Sequence, residues 1–255
     1  MTTPPAAAAA PVRPRVVQLF ITCLLDHLYP DIAEACVTVL ERAGVEVAVP
    51  EGQTCCGQPA FNGGFLAEAR QMARHFLDVF ADTTGPIVTP SGSCASMVVH
   101  HYPGLFAGEP VQQARAEAVA RRVREFSQFL VEDLGLRGIG GRPGRYTYHP
   151  SCHLTRELGV RGCAETLLAG IPGAELRPLP EAEACCGFGG LFAVKLPTVS
   201  AAMMRRKLEN IAASGAETCV VCDASCMTHL NGGLVRQGQA PIVRHLAEIL
   251  AEAEP

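Results

Sequence analysis

With 255 residues, 48% of them hydrophobic, the chain can bury one large core or two of ordinary size, and it needs no disulfides to offset small size. Its net charge of −4, with acids and bases interspersed, excludes the basic surface that nucleic acid requires. No window offers the roughly 18 consecutive apolar residues of a membrane span.

Residues 1–14 are rich in proline and alanine, and Arg13 follows the alanines rather than preceding them. That order is the reverse of a secretory signal, so the segment reads as a disordered tail and the chain is expected in the cytoplasm. Val16 to Ile21 is a short β-branched run and predicts a buried strand. Pro30 opens a helical pattern that continues to Arg42 and is stopped by Gly44. Val45 to Val49 predicts a second strand, Phe65 to Ala81 a helix, and Ile87 to Thr89 a third strand. Val111 to Val131 reads as one long helix. The glycine-rich residues 135–144 read as a linker between a first lobe, 15–134, and a second, 145–255. In the second lobe Arg145 to His149 predicts a strand, Leu158 to Leu168 and Thr198 to Ala213 helices, and Thr218 to Cys222 another strand. The basic run Arg205-Arg206-Lys207 falls on a helix and reads as a solvated face. Strands alternating with helices predict an α/β fold with short, mainly parallel sheets flanked by helices.

Twelve cysteines in this composition are the loudest signal, and most of them repeat. Cys23 and Cys152 are 129 residues apart, Cys55-Cys56 and Cys185-Cys186 are 130 apart, and Cys94 and Cys226 are 132 apart. Each half therefore reads Cys, a gap, Cys-Cys-Gly, a gap, Cys. Ser93-Cys94-Ala95-Ser96-Met97 also resembles Ser225-Cys226-Met227. This is an internal duplication, and it predicts two lobes related by pseudo-twofold symmetry. All eight cysteines fall beyond the C-terminal ends of predicted strands, the edge of a parallel sheet where ligands gather.

A reducing compartment assigns such thiols to metal or redox chemistry. Four thiolates per half match the usual ligand set of an iron–sulfur cluster, and Gly57 and Gly187 let the chain turn sharply after each doublet, close to an inorganic core. Cys36 and Cys163 sit inside helical patterns and read as packing residues. His149, His153 and His229 lie near the cysteines as ligands, proton donors or packing residues. Lys195 follows the second doublet and either neutralises a negative cluster or is simply exposed. Zinc is the rival metal, yet Cys219-Val-Val-Cys222, with Cys226 nearby, supplies only one paired knuckle. Gly138-Ile-Gly140-Gly141-Arg142-Pro143 is a poor dinucleotide loop, because Pro143 stands at the third glycine position.

The stretches Cys55 to Gly64 (CCGQPAFNGG), His149 to Gly159 (HPSCHLTRELG) and Cys185 to Pro197 (CCGFGGLFAVKLP) resemble the cysteine-rich CCG domain found in heterodisulfide reductases and in the iron–sulfur components of glycolate and glycerol-3-phosphate oxidases. The two-repeat layout is most similar to the lactate utilization protein A family. That resemblance implies an electron-transfer component of a system oxidising L-lactate to pyruvate, an oxidoreductase subunit acting with lactate utilization proteins B and C. It implies ligands at Cys23, Cys55, Cys56 and Cys94, and at Cys152, Cys185, Cys186 and Cys226. The fuller family motif ends in Cys-x-x-Cys, whereas here the windows are Ser91-Gly-Ser-Cys94 and Asp223-Ala-Ser-Cys226. One four-thiolate [4Fe–4S] cluster per repeat fits that count, with Cys222 as a substitute ligand in the second repeat. The alternatives are a thiol–disulfide oxidoreductase like the heterodisulfide enzymes and a zinc-stabilised interaction module.

Overall fold

A computed structural model describes residues 14–240 and 242–252; the tail expected at residues 1–14 lies outside this range except for its last residue. Two four-stranded parallel sheets form the frame. In the first half β1 (Val16–Leu19) lies between β2 (Glu46–Ala48) and β3 (Ile87–Thr89), and β4 (Val123–Glu125) pairs with β3. In the second, β5 (Gly144–His149) lies between β6 (Ala174–Leu176) and β7 (Thr218–Val221), and β8 (Val243–His245) pairs with β7. The strand order is therefore identical in the two halves, with helices in the crossovers, as a parallel sheet requires. The duplicated α/β lobes and their pseudo-twofold relation are present as the repeat predicts.

The helix expected from Pro30 spans Pro30–Arg42, with proline at its first turn, where the missing N–H costs nothing. The long helix expected over 111–131 is instead broken. It runs Pro110–Ala120, yields to β4, and resumes as a short helical stretch from Phe126. Arg122 marks the break: its carbonyl accepts from Ile87 N at 2.9 Å, and its guanidinium donates to the carbonyls of Gly85 and Phe80. A helical pattern is overridden here because the sheet edge offers backbone partners. β6 and β8 likewise have no counterpart among the predicted strands. Each has three residues with a charged residue at its centre, and neither shows the β-branched run that marks the equally short Ile87–Thr89.

The lobes share part of their interior. A single apolar cluster contains Val17, Leu19 and Phe126 of the first half together with Tyr148, Leu167 and Val220 of the second. The C-terminal helix Leu246–Ala251 packs against helix Pro30–Arg42 of the opposite lobe. Arg42 caps its last turn by donating to the carbonyls of Leu250 at 2.8 Å and Ala251 at 3.0 Å. Polar contacts cross the same boundary. Gly92 N donates to the Cys222 carbonyl at 3.4 Å, and His245 Nε2 meets the Pro90 carbonyl at 3.1 Å. The run Arg205-Arg206-Lys207 is not a uniformly solvated face: the two arginines are largely in water, but Lys207 is buried and donates to the carbonyls of Glu181 and Ala182.

Glu125 ends β4 inside this shared core. Its Oε2 accepts from Ser127 Oγ and Gln128 N, and burial pushes its carboxyl up to about 7. A raised carboxyl holds its proton longer in the folded than in the unfolded chain, so this residue costs stability as pH rises from about 4.5 to about 7. Glu125→Gln is therefore expected to be more stable than the parent at pH 8, by up to about 3 kcal/mol, with the gap closing below pH 4.5. Buried His149 and His245, both held down to about 4 by burial, act in the opposite sense below pH 6.5. They are common to both proteins, so the difference between two urea titration series isolates Glu125.

Candidate metal centre

The C-terminal edges of both sheets face the lobe boundary, and all eight repeated cysteines meet there. A single cavity of about 210 Å³ is lined by Cys23, Cys55, Cys56 and Cys94 from the first repeat and by Cys152, Cys185, Cys186 and Cys226 from the second. Cys23 follows β1, the doublet follows β2, and Cys94 sits in the helix Gly92–Ser96 just after β3. The second repeat places its four thiols by the same plan, with Cys226 in the helix Ala224–Arg236. Cys56 Sγ lies 3.4 Å from Cys94 Sγ, and Cys186 Sγ lies 3.3 Å from Cys226 Sγ. Gly57 N donates to Cys55 Sγ at 3.4 Å, and Gly187 N to Cys185 Sγ at 3.3 Å.

These thiols share charge as a group. Hydrogen bonds from Cys23 and Cys56 hold the Cys55 thiol down to about 3, and those from Cys152 and Cys186 hold Cys185 down to about 2. Their donors are pushed up correspondingly. Each quartet thus favours the thiolate form at one half-buried cysteine, Cys55 or Cys185, a soft anionic site. Every cysteine in the chain is a free thiol. Eight soft sulfur donors in two close quartets suit a metal ion or an iron–sulfur cluster and would suit magnesium or calcium poorly.

The glycines after the doublets make the sharp turn that was expected, and they serve a further purpose. Gly57 and Gly187 adopt left-handed φ values of +85° and +92°. A Cβ on Gly187 would stand 2.6 Å from the Ser200 carbonyl and 2.9 Å from Met203 Cβ, and one on Gly57 would stand 3.2 Å from Met72 Cβ. The missing side chain makes room for the helix behind each doublet, Leu66–Val79 or Pro197–Ala213.

The two positions that lack a family thiol have a structural task. Ser91 caps the helix Gly92–Ser96, accepting from Cys94 N at 3.2 Å, and Asp223 caps Ala224–Arg236, accepting from Ser225 N at 3.1 Å. Asp223 also reaches across the boundary. Its Oδ2 accepts from Ser93 N at 2.9 Å and from Ser91 Oγ at 3.3 Å. One carboxylate thereby fastens the two cysteine-bearing helix starts together. Asp223→Ala is expected to cost about 2–4 kcal/mol in urea unfolding, because a cap and buried donors are lost at once. Asp223→Asn, which keeps an acceptor, should recover part of that.

Cys222 stands outside this wall. It is buried, with Tyr148 Oη 3.6 Å from its sulfur. Cys36, Cys163 and Cys219 are likewise buried in the shared core. His153 lines the cavity, with Nδ1 3.7 Å from Cys152 Sγ, whereas Lys195 is exposed and forms no part of the lining. His149 is buried at the end of β5. One of its ring nitrogens, Cys186 Sγ and Cys226 Sγ lie within 4.8 Å of one another. Neither ring nitrogen makes a hydrogen bond of good geometry, although the Ala182 backbone approaches the ring. His229 lies behind the second doublet, 3.4 Å from Ser200 Oγ. Among the described residues no helix is long and apolar enough to cross a membrane.

A duplicated parallel α/β protein with two thiol quartets facing one inter-lobe cavity defines a class of cysteine-rich metal-site proteins. The model of the cysteine-rich domain, CCG, matches residues 17–99 and again 146–231. Lactate utilization protein A of Exiguobacterium sp. AT1b is 44% identical over 238 residues, covering 92% of this chain and 97% of that protein. Lactate utilization protein A of Geobacillus sp. WCH70 is 44% identical and that of Bacillus cereus B4264 is 42% identical, each over 92% of this chain and 98% of the relative. The chain belongs to the lactate utilization protein A family and carries two cysteine-rich CCG domains.

Proposed function

We propose that this chain is the iron–sulfur electron-transfer component of a system that oxidises L-lactate to pyruvate. The observation that carries the reading is the convergence of eight duplicated thiols on one cavity. Cys23, Cys55, Cys56 and Cys94 would hold one [4Fe–4S] cluster, and Cys152, Cys185, Cys186 and Cys226 another. Such a cluster supplies one-electron transfer when bound. The chain's own contribution is to hold the ligands at the lobe boundary, to direct the N–H groups of Gly57 and Gly187 at ligand sulfurs, and to bury one side of each quartet from water. The link to lactate rests on the relatives' name, and so does the expectation that lactate utilization proteins B and C are the partners. In this reading substrate oxidation belongs to the assembled complex, and this chain carries the electrons.

The test is anaerobic reconstitution of the full chain with ferrous iron and sulfide. A brown chromophore, acid-labile sulfide in step with iron, and an EPR signal on reduction are expected. A colourless protein holding zinc without sulfide would establish the zinc module instead. Reduction of a disulfide by this chain alone would establish the thiol–disulfide reading. Co-purification with the two partner proteins, and lactate-dependent reduction in the reassembled mixture, test the lactate assignment.

A further inference from the structure

The two quartets share a plan but not a surrounding. Phe20, the residue directly after β1, and His149, the last residue of β5, occupy corresponding places, since they are separated by the 129 residues that also separate Cys23 from Cys152. The glycines fix a second correspondence. The absent Cβ of Gly57 faces Ala69 and Met72, and that of Gly187 faces Ser200 and Met203. On this 131-residue offset Phe76 of the first repeat stands where Lys207 stands in the second. Counting three residues on from Cys94 and Cys226 sets Met97 opposite His229.

The first quartet is therefore backed by hydrocarbon. Cys56 and Cys94 share a buried apolar cluster with Phe20, Phe76, Phe80 and Met97, and Phe20 and Phe76 meet edge to face at 4.8 Å. Tyr102 closes this wall, but its hydroxyl is already donated to the Cys56 carbonyl at 2.9 Å. The second quartet also joins an apolar cluster, with Leu208, Met227 and Leu230 beside Cys186 and Cys226, but its wall adds polar groups that the first lacks. His149 brings a ring nitrogen to within 4.8 Å of the sulfurs of Cys186 and Cys226. The buried Lys207 ammonium bears electrostatically on Cys219 first, then on Cys186 and Cys185, and also on His149. The nearby Glu181 carboxylate is engaged by Arg206 and Asn210 at the surface, whereas Lys207 takes the backbone carbonyls of Glu181 and Ala182. Ser200 and His229 add a third polar pair where the first repeat has Ala69 and Met97.

We infer that the two quartets hold clusters of unequal reduction potential, and that His149 and Lys207 make the second-repeat cluster the better electron acceptor. The inference rests on the iron–sulfur reading above. Reduction adds negative charge to a centre already surrounded by thiolates. In a low-dielectric wall, a buried cation and an imidazole nitrogen within 4.8 Å of the sulfurs stabilise that charge, and an aromatic wall does not. A histidine ligating iron shifts the potential in the same direction, so either mode of engagement gives the same order. A single electron placed on the chain then resides on the second repeat.

The experiment uses the full chain, reconstituted anaerobically and titrated with dithionite under EPR observation. Cys56→Ser and Cys186→Ser each leave one intact quartet. The cluster remaining in Cys56→Ser is expected to reduce at the higher potential. In the otherwise unaltered chain, Lys207→Met and His149→Phe should each lower the upper midpoint and leave the lower one in place, and Lys207→Arg should retain it. Equal midpoints in the two single-quartet variants would overturn the inference, as would a Lys207→Met change that moves both midpoints together. If Lys207→Met does not fold, the comparison of single-quartet variants still decides. Failure of any iron–sulfur cluster to form would instead remove the proposed function; two clusters at one potential would remove only this ordering.

Discussion

Cys186→Ser is expected to lose about half of the iron and sulfide bound by the reconstituted parent, with the remaining chromophore belonging to the first repeat. Cys186 is 3% exposed, its sulfur meets that of Cys226 at 3.3 Å, and it engages Cys185, so its removal opens the quartet at its centre. A serine fits the same space, and the far-UV circular dichroism and the urea midpoint of the metal-free protein should change little. Cys56→Ser should do the same to the other repeat. Cys222→Ser is the matched control. Cys222 lies against Tyr148 outside the cavity wall, so its iron content should equal that of the parent. A full iron complement in Cys186→Ser, or a halved one in Cys222→Ser, would show that the ligand set has been misread.

Gly187→Ala is expected to be the most damaging small substitution near the site. The methyl group would enter at 2.6 Å from the Ser200 carbonyl, and φ is +92°. The first contact is with backbone and cannot be relieved by a rotamer change, and the second is strain that an L side chain resists. Together they should cost roughly 3–5 kcal/mol in urea unfolding of the metal-free chain. Gly159→Ala separates the two effects. Its φ is +70°, but nothing lies within 4 Å of the added carbon, so only the backbone cost of about 1–2 kcal/mol should appear. Because Gly187 N also donates to Cys185 Sγ, displacement of this turn should slow cluster assembly in the second repeat. Equal losses at the two positions would mean that the helix behind the doublet can move away.

The cysteine repeat is readable without coordinates because thiol chemistry demands fixed residue types, and a duplication repeats them at a nearly constant offset. Longer elements with strong periodicity, such as Pro30–Arg42, are legible because their local pattern and their tertiary role agree. β4, β6 and β8 are not legible, since Val-Arg-Glu, Ala-Glu-Leu and Val-Arg-His lack the β-branched run that marks the equally short Ile87–Thr89, and their pairing depends on a strand distant in sequence. Lys207 reads in the sequence as one of three adjacent charges, and only the fold shows that it turns inward to two carbonyls. Asp223 reads as a missing cysteine, and the fold shows it capping one helix while binding the start of another across the lobe boundary. The sequence by itself determined which atoms are available to bind a soft centre, how many there are, and that they come in two sets. The tertiary structure alone decided that both sets open on a single cavity and that their back walls differ. Those facts depend on how the two lobes pack together, and that packing is set by side chains more than a hundred residues apart, such as Asp223 on Ser93 and Arg42 on Leu250, that no local pattern connects.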